Sequence, residues 1–408
     1  MPEEELNIDE RFKVLRLRQS AYRRATKGEK TRILDEMVAL TGLNRKTLIR
    51  RLNGSCRRKR RRKQRGRSYG PPVDDALRVI WETHNYICAE RLQPNLVSMA
   101  EQLATHGEMR LTPQLRGQLG RISVSTVQRI LRRIGQDMPR RRRRANATAS
   151  ARSQIPIRRI PWDTPLPGRF EVDLVHFCGP RTSGEYVYVL VMVDVASGWC
   201  EMAAMLGRSY LVMRDAFERC LQRIPFPVLE IHTDNGSEFF TDHLRHYWST
   251  RIKGLQRTRS RPYRKNDARF VEHRNGALIR LWLGHDRLDT VQQTRALNDA
   301  LNSLWLYFNF FQPVMRLQEK VRDGTSVRRK FDRATPPVER VLASGLLSDQ
   351  RCEELLALRK YTNPRQLRRQ LERDLDLLFR LPLAQEGRSE NVRLTLLDNP
   401  TERRWASE

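Results

Sequence analysis

In the stretch HTDNGSEFF, His232 to Phe240, an acid and a turn-forming Asn-Gly directly follow the apolar run VLEI. That acid, Asp234, has two distant counterparts: Asp173 inside RFEVDLVHF, and Glu272 inside RPYRKNDARFVEHRN, 38 positions after Asp234. Carboxylates brought together raise each other's pKa unless a cation joins them, and their hard oxygens suit Mg2+ or Mn2+. Each acid also has an ordinary use. Asp173 shares its strand face with Glu171 and has a rival in Asp194 on the next strand. Asp234 could cap the turn made with Asn235 and Gly236, and Glu272 could pair with an arginine one helical turn away.

Whether the acids meet depends on the elements that carry them. RFEVDLVHF, YVYVLVMVDV and WCEMAAM alternate with strand period and are joined by the short loops CGPRTSGE and ASG, which predicts an antiparallel meander. SYLVMRDAFERCLQRI is an amphipathic helix, and VLEIHTD is a short buried strand. A helical crossover of this length makes the fourth strand parallel to an earlier one. If that neighbour is the first strand, the end of VLEIHTD brings Asp234 beside Asp173. TDHLRHYW is a second helix and LQRTRS a further strand. A third helix is expected from about Asn266 to Leu283, presenting Glu272 and carrying Arg264, Lys265, Arg269 and Arg274 on its other faces.

With these elements in place, Asp173, TDNGSEF and RPYRKNDARFVEHRN resemble the catalytic core of DDE transposases and retroviral-type integrases, from about Phe170 to Gln312. The resemblance implies an α/β, ribonuclease H-like fold: a mixed five-stranded sheet with flanking helices. It implies that Asp173, Asp234 and Glu272 are the catalytic and metal-binding residues, that two Mg2+ or Mn2+ ions serve an in-line displacement, and that Lys265 and Asn266 contact DNA. Water would attack first, and a DNA 3′-hydroxyl second. The chain departs from the pattern twice: the spacing from Asp234 to Glu272 is slightly long, and Arg269 stands where a small polar residue is common.

The rest of the chain says what the core acts on. Net charge is +30, and residues 1–160 hold 38 lysines and arginines against 15 acids, whereas residues 161–290 hold 18 against 16. So concentrated a block of cations attracts a polyanion by releasing its counterions. TRILDEMVALTGLNRKTLIRRLNG has two helical runs divided by Gly42 and Asn44, predicting a helix-turn-helix whose second helix offers Arg45, Lys46, Arg50 and Arg51 to DNA. The tract RRKRRRKQRGR follows, with Arg57, Arg58, Arg60, Arg61 and Arg62 as candidate phosphate contacts. ISVSTVQRILRRIG, capped by Ser123 or Ser125, predicts a second such unit.

The expected layout is a helix-turn-helix domain with a basic arm over 1–67, a second helical DNA-binding domain over 68–145, a linker over 146–160, the catalytic domain over 161–315, and a helical C-terminal region over 316–408. At the end of the catalytic domain the aromatic helix TRALNDALNSLWLYFNFFQPVM should pack on the sheet; beyond it several leucine-rich helices should follow, and the tail from about Leu383 is polar and loose. Six scattered cysteines without a C-x-x-C pair argue against a zinc site or a disulfide framework. No apolar run is long enough to cross a bilayer, and the acidic start MPEEELNIDE is unlike a secretory signal, so a cytoplasmic, nucleoid-associated protein is expected. The function these features predict is a transposase that binds the ends of a mobile element and the target DNA as a homo-oligomer. Two other classes fit some of them: a DNA-binding regulator with an inactive core, and a ribonuclease H-like nuclease without strand transfer.

Overall fold

The computed structural model describes residues 6–57, 69–136, 164–233, 239, 242–260, 268–323, 326–385 and 390–396. The chain divides into two compact units, Met1–Ser68 and Tyr69–Glu408.

The smaller unit is three helices: α1 (Ile8–Arg24), α2 (Lys27–Thr41) and α3 (Arg45–Asn53). Reciprocal capping boxes start the first two, Asn7 with Glu10 and Thr26 with Glu29, so amides left over at each helix start are satisfied locally. Gly42, at φ 64°, ends α2 in a left-handed conformation, and Asn44 accepts from the Lys46 amide to begin α3. Leu15, Tyr22, Leu34, Met37, Leu48, Leu52 and Cys56 form the core. From α1, Gln19 and Arg23 donate to the last carbonyls of α3 (Leu52 O at 2.9 Å, Gly54 O at 3.1 Å), which fixes the angle between these helices.

The larger unit starts with α4 (Pro71–Thr83), α5 (Ala89–Leu92), α6 (Leu96–Thr105), α7 (Pro113–Arg121) and α8 (Val124–Ile134). Of the two candidate caps for α8, Ser123 is the one used. The sheet and its helices follow: β1 (Arg169–His176), β2 (Val187–Asp194), β3 (Cys200–Leu206), α9 (Tyr210–Arg223), β4 (Glu230–Thr233), α10 (Asp242–Arg251) and β5 (Gln256–Arg259). Strand order is β3-β2-β1-β4-β5, antiparallel across the first three and parallel from β1 through β4 to β5, as the meander and crossover predicted. Gly168, at φ 123°, stands where an added Cβ would lie 2.7 Å from the Pro227 carbonyl, so only glycine lets β1 and β4 begin side by side.

Alternation along β1 sends Phe170, Val172 and Leu174 into a core shared with α9, and Val175 and Phe177 into a second core on the opposite face. That second core is built by α11 (Arg269–Arg274), a π-helical segment Asn275–Arg280, α12 (Leu281–Leu283) and the long α13 (Val291–Phe311). The single helix expected up to Leu283 is therefore interrupted by a wide turn. Arg274, expected on an outer basic face, instead lies 4.7 Å over the Phe308 ring, and burial lowers its pKa to about 10. The aromatic stretch of α13 is buried as expected. Its Asn298 and Asn309 side chains each bond both backbone groups of one β3 residue, Ala204 and Cys200, at 2.8–3.0 Å, which blunts the sheet edge.

Beyond α13 the sequence reading needs two corrections. A β-hairpin, β6 (Leu317–Asp323) and β7 (Ser326–Phe331), precedes α14 (Pro337–Leu342), α15 (Asp349–Tyr361) and α16 (Pro364–Leu378). And part of the tail is packed: Glu390 accepts from the Val291 amide at 2.9 Å, and Arg219 and Arg295 each donate at 2.9 Å to the carbonyls of Thr395 and Leu394. All six cysteines are free thiols, and no helix of the described residues is long and apolar enough to cross a membrane.

Candidate active site

On β1, Glu171 and Asp173 are two apart and so share a face, the one turned to α11 and the π-helical segment. Glu171 is buried, and its Oε2 accepts from the amides of Phe270 (2.6 Å) and Val271 (3.0 Å), the unsatisfied donors at the start of α11. Burial pushes the Glu171 carboxyl up to about 7 against the pull of those amides and of Arg269, and the nearby charge of Glu272 adds to the rise. Arg269 stacks over Phe270, its guanidinium 4.7 Å from the ring centre.

Asp173 is partly exposed. Its Oδ1 accepts from the Leu174 amide at 2.8 Å, and its Oδ2 accepts from Asn275 Nδ2 at 2.6 Å. Asn275 stands three residues after Glu272, a spacing that puts both on neighbouring positions of one helix surface. The β1 acid is thus tied to the helix that carries the exposed Glu272. On the other side, β4 runs parallel to β1 with Val172 opposite Thr233, the residue before Asp234 in the sequence. Asp234, Lys265 and Asn266 lie outside the described residues. Among the described residues, no group of three or more His, Cys, Asp or Glu side chains is placed to hold a metal ion.

Asp194, the rival on β2, is completely buried and has another occupation. Its two oxygens accept from the amides of Gly168, Arg169 and Ser197 and from the Ser197 hydroxyl at 2.6–3.2 Å, closing the β2–β3 turn onto the start of β1. Burial still raises its pKa, with the Ser197 contacts opposing. Sequence reasoning passed over His232 and Asn275. His232 is buried between Thr258 Oγ1 (2.9 Å) and Ser260 Oγ (3.1 Å), and Thr258 also donates to Glu230 at 2.7 Å, so a polar ladder locks β4 to β5 just before Asp234. Nothing in the type or spacing of Asn275 singles it out. A cleft of about 610 Å3 lined by Arg274, Ala277, Leu281 and Tyr307 includes neither Asp173 nor Glu272.

In the small unit, Lys46 and Arg50 are exposed on α3 and Arg57 is exposed beyond it. Arg45 instead pairs with Asp35, and Arg51 lies 4.8 Å over the Phe12 ring. Arg58, Arg60, Arg61 and Arg62 lie outside the described residues.

Residues 166–265, which span β1 to β5 and contain Asp173 and Asp234, match the family described as integrase core domain. Protein y4rM of Sinorhizobium fredii is 37% identical over 326 residues, 78% of this chain and 91% of that protein. The chain belongs to the integrase core family. Integrase-core proteins are polynucleotidyl transferases of DNA recombination and integration, and the family generally uses divalent metal ions. Two solved structures are similar to this integrase-core chain. One is the catalytic core domain of BIV integrase (18% identity, 43% of this chain and 95% of that one, TM-score 0.28). The other is the simian T-cell lymphotropic virus intasome in complex with PP2A regulatory subunit B56 gamma (17% identity, 52% and 70%, TM-score 0.30).

Proposed function

We propose that the protein is a transposase that binds the ends of a mobile DNA element and cuts and joins DNA strands with Asp173, Asp234 and Glu272. The observation that carries this reading is the 2.6 Å hydrogen bond from Asn275 to Asp173, which ties the acid of β1 to the helix bearing Glu272. The parallel register of β1 and β4 supports the inclusion of Asp234, the next residue after Thr233.

Carboxylate oxygens are the donor chemistry that suits Mg2+ or Mn2+, and Asp173, Asp234 and Glu272 would hold such ions. When bound, two divalent ions supply charge stabilisation for the attacking and leaving oxygens of an in-line phosphoryl displacement. The protein's own part is placement. Asn275 holds one oxygen of Asp173 and so sets the carboxylate's rotation, while Glu171 anchors the start of α11 and fixes the axis along which Glu272 is presented. Lys46, Arg50 and Arg57, with the basic tract 58–67, would carry duplex DNA by phosphate contacts, and α3 would act as the second helix of a helix-turn-helix. Two element ends held at once call for a homo-oligomer.

The test is strand cleavage and joining of labelled duplex carrying the element ends, in the presence of Mg2+. Asp173→Asn, Asp234→Asn and Glu272→Gln should each abolish both products and leave duplex affinity within about threefold, since none removes a phosphate-binding cation. Cleavage that survives any of the three exchanges would refute the assignment.

A further inference from the structure

We infer that the β6–β7 hairpin is a DNA-contacting ribbon that grips the phosphate backbone of duplex DNA through Arg328, Arg329 and Lys330. The inference rests on the proposal that the protein acts on DNA. Nothing in the sequence reading used this segment.

Within Leu317–Phe331 five cations stand against two acids, and β7 itself, SVRRKF, has three consecutive cations and no acid. All three are exposed, and none has an ion-pair partner among the described side chains. The register makes the imbalance specific. Glu319 is opposite Lys330, a complementary pair, but Lys320 is opposite Arg329 and Val321 opposite Arg328. A two-stranded hairpin is in any case marginal in water, and this one leaves Val321 and Phe331 each 47% exposed. An anion laid along β7 would neutralise its three consecutive exposed cations.

The hairpin is nonetheless held firmly at its root. Val314 and Thr335 exchange two backbone hydrogen bonds at 3.0 Å. The Arg316 amide donates to Asp332 Oδ1 at 2.7 Å, and Arg340 bridges Asp332 Oδ2 (2.6 Å) and the Val314 carbonyl (2.9 Å). Arg333 and Asn95 fasten the following residues to the loop before α6, through Pro94 O at 2.9 Å and Ala334 O at 3.0 Å. A clamped root under a basic, solvent-facing ribbon suits a device that reaches for a polyanion. Two-stranded ribbons of this width fit the DNA major groove, and phosphates flank the groove on both sides. A second copy of the hairpin is the wrong occupant for so basic an edge, because the charges would repel. A lipid surface is disfavoured by the lack of tryptophan or tyrosine in the segment.

The experiment is fluorescence anisotropy of full-length protein on a short duplex of mixed sequence across a salt series. The triple variant Arg328→Ala/Arg329→Ala/Lys330→Ala should lower the slope of log affinity against log salt by about 2 to 3, near 0.9 for each lost phosphate contact. Glu319→Gln, which removes an acid from the same ribbon, should tighten binding several-fold at low salt. A triple variant that keeps its fold by circular dichroism and keeps the wild-type slope overturns the role of the hairpin. A change in oligomeric state with duplex affinity intact overturns it also, in favour of a protein partner. Wild-type protein that fails to bind duplex at any salt would instead refute the DNA-acting function on which the inference rests.

Discussion

A carboxylate's neighbours decide what it is available for. Asp194 is wrapped at full burial by four donors from a tight turn and the start of β1, which makes it a structural knot, while Asp173 is partly open and is steadied by one amide side chain. The sequence leaves the two as rivals because both stand on neighbouring apolar strands, Asp173 within β1 and Asp194 at the end of β2. What separates them is the turn through Ser197, whose hydroxyl reaches back to Asp194. Asn275 was illegible for a related reason: its partner is 102 residues away in the chain. If Asn275 orients Asp173, Asn275→Ala should slow cleavage by about 10- to 100-fold, the usual cost of losing a group that aligns a metal-binding side chain. Raising Mg2+ should recover part of that loss, and duplex affinity should not change. Single-turnover cleavage at several Mg2+ concentrations measures it.

At the scale of elements, the strands with a buried face were legible and those without one were not. β1 to β4 declared themselves through apolar runs and loop lengths, and the polar β5 was read as the strand after α10, whereas β6 and β7 are charged on both faces and give no period-2 apolar signal. The π-helical turn leaves no mark in composition, and the packing of residues 390–396 depends on Arg219 and Arg295 from distant helices. One consequence at this scale concerns acid. His84, the residue that ends α4, is buried with both ring nitrogens lacking a hydrogen-bond partner of ordinary length, although a Phe311 backbone group weakly favours its protonation. Burial, reinforced by the charge of Arg91, pushes its pKa down from 6.5 to about 3. The unfolded chain therefore takes up a proton below about 6.5 that the folded one refuses until about 3. This contribution to stability is complete above 6.5 and is lost as pH falls through that window, at up to about 1.4 kcal/mol per pH unit. Thermal melts of His84→Gln against pH should show a flatter acid limb than the wild type.

At the scale of the whole molecule, the seven-residue core of the small unit and the two cores of the larger one are separate reservoirs of stability. Calorimetry should resolve two transitions. Leu48→Ala should lower one of them, by about 2–5 kcal/mol, and leave the other where it was. A single transition shifted as a whole would mean that the units melt together. The concentration of positive charge in the first 160 residues was legible from composition alone; the antiparallel meander was legible from loop lengths and the parallel fourth strand from the helical crossover, while its place beside β1 was a condition that the strand order meets.

The last long helix has a role the leucine periodicity did not reveal. Leu371, Leu375 and Leu378 of α16 complete the core beneath α13, while Arg365 and Arg368 reach Glu82 on α4 at 2.8 and 3.7 Å. The first helix of the larger unit is thus latched by nearly its last, and a ribosome must finish α16 before the layer over the sheet can close. A chain cut short between Glu272 and that latch would carry all three candidate acids yet lack the leucines that finish the core beneath α13, so truncation should cost the larger unit its stability before it costs the small unit anything.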